Sequence, residues 1–93
     1  MKYREVASAI EKKTPGETRS GSEQNRWVIV DGLRRFRITY PKQHSGDLPP
    51  GTLRSIRSQS RLDRDQFSRF VVCSMTGTEY ETHVRTMIEE GDL

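Results

Sequence analysis

The stretch RSGSEQNRWVIVDG, Arg19 to Gly32, sets a glycine–serine turn and a carboxylate directly ahead of a β-rich run. Glu23 in that turn and His44 in the later loop PKQHSGDLPP are the two side chains whose type and setting suit proton transfer. Among the reactions that such an acid–base pair can carry is metal-free scission of a ribose phosphodiester. A base takes the 2′-hydroxyl proton, an acid protonates the leaving 5′-oxygen, and cations stabilise the crowded phosphate. Histidine suits this work because its unperturbed pKa lies near neutrality. A carboxylate can replace it only with burial, a neighbouring anion or a compensating cation. Glu23 therefore reads either as the base or as a solvated turn residue, and His44 either as its proton-carrying partner or as a surface residue. Arg26, Arg35 and Arg37 on the adjoining run, with Arg54 and Arg57 further on, are the candidate phosphate contacts.

The charge distribution supports a contact with phosphate or with an acidic protein. The net charge of +3 conceals a basic centre: residues 19–69 carry eleven basic and five acidic groups, whereas residues 70–93 carry one basic and five acidic groups. Ten of the eleven central cations are arginine, whose planar fork matches phosphate oxygens in pairs. Arg54, Arg57, Arg61 and Arg64 recur every three or four residues, as either a phosphate-contacting ridge or a solvent face opposite Leu53 and Ile56.

These side chains need a scaffold, and 93 residues provide one domain with a modest core. Tyr3, Val6, Ala7 and Ile10 predict an amphipathic first helix, ended by Thr14-Pro15-Gly16. Glu17 to Ser20 is a short strand without apolar residues. RWVIV and LRRFRITY flank Asp31-Gly32, the pairing of a tight two-residue hairpin. Alternation in the second run sends Phe36, Ile38 and Tyr40 to one face, and Arg35 and Arg37 to the other. Then GTLRSIRSQS forms a helix anchored by Leu53 and Ile56, and Asp63 with Gln66 caps the next, which buries Phe67, Phe70 and Val71. Thr78 with Glu81 caps a last helix bearing Tyr80, Val84, Met87 and Ile88, beside which His83 has a packing or surface role. The expected order is α-β-β-β-α-α-α, an α+β fold with helices on one face of an antiparallel sheet.

The same patterns argue against other chemistries. Two histidines and one cysteine, far apart, give no zinc spacing and no internal disulfide, and Cys73 is expected in the core beside Phe70. No phosphate loop or dinucleotide fingerprint is present, and no cofactor is expected. No apolar run approaches the ~20 residues of a membrane span, and no signal-peptide core opens the chain, so a cytoplasmic location is expected.

DLPPGTLRSIRSQSRLDRDQF, Asp47 to Phe67, resembles the loop-and-helix signature of the HicA family of bacterial and archaeal toxins. YPKQH resembles that family's strand end and loop histidine, and DGLRRFRITYP resembles its hairpin. The resemblance spans roughly residues 2–71. It treats 1–93 as a single HicA-like domain whose residues 75–93 form a helical extension outside the match. It implies a fold like the double-stranded RNA-binding domain, metal-independent mRNA cleavage, and neutralisation by a HicB-type antitoxin. The family's catalytic histidine lies in a Gly-Ser-His turn, where this chain has Gly21-Ser22-Glu23. Two functions follow as expectations: a divergent endoribonuclease toxin of a type II toxin–antitoxin system, or a non-cleaving module that binds RNA or a partner protein. The last helix serves either to cap the core or to form a homodimer contact.

Overall fold

The computed structural model describes residues 1–72 and 74–93; the expectation for Cys73 lies outside them. Its elements follow the order read from the sequence: α1 (Tyr3–Lys13), β1 (Gly16–Ser20), β2 (Gln24–Val30), β3 (Leu33–Tyr40), α2 (Pro50–Gln59), α3 (Arg64–Val71) and α4 (Gly77–Glu89). The strands form one antiparallel sheet in the order β1-β2-β3. Val28, Val30, Phe36, Ile38 and Tyr40 bury one face of it in a common core with residues of all four helices. The opposite face carries Glu17, Arg19, Asn25, Trp27, Ile29 and Arg37, which range from half-buried to exposed. No helix among the described residues is long and apolar enough to cross a membrane.

Local chemistry accounts for most of the boundaries. Asp31 and Gly32 both take positive φ, 55° and 75°, the geometry that a two-residue hairpin turn requires. Asp63 and Gln66 exchange the two hydrogen bonds of a capping box, at 2.8 and 2.9 Å. Gly16 admits no side chain, because a Cβ there would stand 1.8 Å from the Trp27 carbonyl oxygen. The outer edge of β3 is closed by Gln59 of α2, whose amide accepts from Thr39 N–H at 2.8 Å and donates to Thr39 C=O at 3.2 Å.

Two expectations need correction. The last helix starts two residues earlier than Thr78: Thr76 is its N-cap and exchanges hydrogen bonds with Glu79, not Glu81. Both pairs have the same spacing. The earlier start places Gly77 beside the backbone of Lys13 at the end of α1, at a distance where a Cβ would make ordinary contact. Secondly, Arg35 and Arg37 do not alternate together. A bulge sets Val28 opposite Phe36 but Ile29 opposite Arg34, so Arg35 is the extra residue. Its Nε donates to Val30 C=O at 3.3 Å.

Helix α4 is integral to the core. Tyr80 and Val84 are fully buried, and the Tyr80 ring lies 5.0 Å from that of Phe70. The Tyr80 hydroxyl donates to Ser60 C=O at 2.9 Å, and His83 Nε2 lies 2.7 Å from Arg61 C=O. Both contacts satisfy carbonyls at the frayed end of α2. Arg85 reaches Asp31 of the hairpin turn at 2.9 Å. His83 thus packs, as expected, and the helix caps the core.

Burial lifts the Tyr80 phenol above its usual value of 10.0, and burial with the Glu11 carboxylate does the same for Tyr40. A raised folded-state pKa gives stability that is complete below the unfolded value and declines as pH climbs past it. The urea midpoint should therefore fall between about pH 8 and about pH 11, and Tyr80→Phe should flatten that fall relative to its own value at about pH 8. An equal slope in both proteins would contradict the assignment.

Candidate RNA-binding cleft

At the end of the sheet, three stretches far apart in sequence meet around a cleft of about 570 Å³. The β1–β2 turn contributes Ser22 and Glu23. The exit from β3 contributes Thr39, Pro41, Lys42 and Gln43, and the first turns of α2 contribute Gly51, Thr52, Ser55 and Ile56.

Each wall has a local cause. The turn closes by Gly21 N–H donating to Glu23 C=O at 2.9 Å, and the Asn25 amide supports the same carbonyl at 3.3 Å. Lys42 Nζ donates to Gly21 C=O at 3.3 Å, joining the second wall to the first. The Tyr3 hydroxyl donates to the carbonyls of Pro41 and Lys42, at 2.7 and 2.9 Å, which fixes the loop on α1. Helix α2 begins with Pro50 at its first position and has no side-chain cap. Leu53 N–H makes the first helical bond, to Pro49 C=O at 3.0 Å. The amides of Gly51 and Thr52 precede that bond, and donors at a helix N-terminus favour anions. An ammonium, hydroxyls and helix-terminal amides thus share one opening, a set suited to phosphate oxygens.

The sequence candidates do not gather in one place. Glu23 lies in the cleft but is exposed, without the burial that a carboxylate base needs. His44 lines a different depression, with Lys2, Arg4, Ser45 and Gly46, and its ring stands 6.4 Å from that of Tyr3. The two proton carriers therefore do not line a common cavity. Arg54 and Arg57 lie on the α2–α3 side, around a depression shared with Arg64, Met1, Pro50, Leu53 and Phe67. Arg61 leaves their row, since it ends α2 at φ 63° and lays its guanidinium 4.6 Å from the Phe36 ring centre.

Arg26 has an internal task instead of a free guanidinium. It is 8% exposed on the core face of β2, and donates to Thr14 Oγ1 at 2.9 Å, Thr14 C=O at 2.7 Å and Thr18 Oγ1 at 3.2 Å. It also donates to Glu11 C=O at 3.3 Å and stands 3.6 Å from the Glu11 carboxylate, which accepts from the Tyr40 hydroxyl. These contacts satisfy the last carbonyls of α1 and engage the guanidinium that the sequence offered as a phosphate contact. Arg35 is engaged at the bulge, and Arg37 stays exposed on the outer sheet face.

Sequence reasoning passed over Lys42, Gln43, Thr52 and Ser55 of the cleft. Lys42 was the one with a signal, as the cation in YPKQH beside the histidine that drew attention. Among the described residues, no three His, Cys, Asp or Glu side chains gather as a metal-ligand set. Comparison of the chain with protein-family models, curated proteins and solved structures returns no match.

Proposed function

We propose that this chain is a HicA-like RNA-binding domain of a type II toxin–antitoxin system, with a fold of the double-stranded RNA-binding type. One observation carries the reading: YPKQ and PPGTLRSI, which hold the resemblance, meet the GSE turn, which stands where the family has Gly-Ser-His, around a single cleft with donors for phosphate. In this reading an RNA phosphate sits against Lys42, Ser22, Thr52 and the first amides of α2. A HicB-type antitoxin of acidic character covers the basic surface, where complementary charge speeds association.

Retention of RNA without efficient cleavage is the form of this reading that the geometry favours. A lone exposed carboxylate in the cleft and an imidazole in another depression do not make an acid–base pair. The endoribonuclease reading draws on Glu23 standing where the family's catalytic histidine is expected.

Filter retention of a short mRNA fragment in EDTA tests the proposal. Binding should weaken steeply with salt. Lys42→Ala should lower affinity across sequences and reduce the salt slope by about 1. A Lys42→Ala variant that matches the parent at every salt concentration would contradict the placement of phosphate in the cleft.

A further inference from the structure

The outer face of the sheet holds a second feature, centred on Trp27, the sole tryptophan of the chain. Strand register places Glu17 and Arg37 on either side of it. The guanidinium carbons of Arg34 and Arg37 stand 5.0 and 5.5 Å from its ring centre. The bulge makes this possible, by bringing Arg34 rather than Arg35 to this face. Arg34 and Arg19 share the carboxylate of Glu17, at 3.2 and 3.6 Å. Arg37 has no carboxylate within 4.0 Å among the described residues. Two guanidiniums thus stand at a half-buried indole, with Glu17 opposite it in register and Arg19 joined to Glu17.

We propose that Trp27 is a base-stacking subsite for an unpaired nucleotide of an RNA strand whose phosphate occupies the cleft. The inference rests on the RNA-binding reading of that cleft. Continuity supports it: two residue pairs along from Trp27, on the same face, Asn25 lies opposite Thr39, and Thr39 lines the cleft. From Trp27 to Glu23 is four strand steps, ~13 Å, a span for about two extended nucleotides. Arg37 is placed to meet the phosphate between them. A paired duplex hides its base faces, whereas an unpaired base offers its π-surface to an aromatic ring and to arginine planes. The charge around the indole also fits a polyanion better than an apolar protein surface.

Because Trp27 is the only indole, its emission reports the event directly. The experiment titrates the full chain with a labelled oligouridylate, an abasic oligomer of equal length and charge, and an RNA duplex, following emission and anisotropy together. The expected result is quenching of Trp27 by the oligouridylate, at least tenfold weaker binding of the abasic strand, and little quenching by the duplex. Trp27→Ala should bind the oligouridylate about tenfold more weakly and Trp27→Phe should recover most of the loss, with circular dichroism confirming that both fold. Salt-sensitive binding with unchanged emission and equal affinity for the abasic strand overturns the subsite while leaving the cleft in place. Equal quenching by the duplex also overturns it. Absence of RNA binding at low salt overturns both the subsite and the RNA reading.

Discussion

Glu23→His is expected to convert RNA retention into EDTA-resistant RNA cleavage, at a rate at least 100-fold above that of the parent chain. Positioned acid–base catalysis contributes ~10²–10⁴-fold: the imidazole at position 23 would take the 2′-hydroxyl proton, and the Lys42 ammonium would protonate the leaving 5′-oxygen and hold the phosphate. Lys42, the hydroxyls of Ser22 and Thr52 and the start of α2 border the space that an imidazole at position 23 would reach. Histidine moves protons near neutral pH where an exposed carboxylate does not. The rise should depend on Lys42, so that Lys42→Ala in the same background removes most of it. His44→Ala should leave the gained activity unchanged, since His44 lines another depression. Loss of the gained activity with His44→Ala would instead show that the loop brings the two groups together during reaction. Strong cleavage by the parent chain, abolished by Glu23→Gln, would establish the carboxylate as a working base and restore the nuclease reading.

Arg26→Ala is expected to cost about 3 kcal/mol of stability, upwards of about 10 °C in Tm for a domain of this size. The loss comes mainly from the hydrogen bonds to Thr14 and to the terminal carbonyls of α1, in the buried seam between α1 and the sheet. The ion pair with Glu11 adds less, because that carboxylate is 39% exposed and water screens it. Lysine should not rescue the variant, since a single ammonium cannot reach acceptors spread around a planar fork. Arg37→Ala should behave in the opposite way, changing stability by under about 0.5 kcal/mol while weakening RNA binding. Thermal unfolding and RNA titration of the two variants distinguish the brace from the contact. Equal destabilisation by both, or weaker RNA binding by a folded Arg26 variant alone, would contradict the division.

These two arginines also illustrate which features were legible in the sequence. The two-residue period that buries Val28 and Val30 carries Arg26 to the same face, so its inward position was available from spacing alone. Arginine-rich composition drew attention to its charge instead of its parity. The hairpin turn at Asp31-Gly32 and the Asp63–Gln66 cap were readable because each is decided by a few neighbouring residues. The bulge that exchanges Arg34 for Arg35 was not, since it depends on how two whole strands settle against the core. The start of α4 was ambiguous between two capping pairs of equal spacing, and the structure forms the earlier one, Thr76 with Glu79. Most of the cleft was invisible for a similar reason: nothing local to Ser22, Lys42 or Thr52 says that they face one another.

Amide chemical-shift mapping of the parent chain, titrated with a short unpaired RNA at low salt, tests the central claim most directly. The account predicts saturable shifts at Ser22, Glu23, Lys42, Gln43, Gly51 and Thr52, extending to Thr39. Shifts confined to the Arg54, Arg57 and Arg64 side, or no saturable shift anywhere, would contradict it.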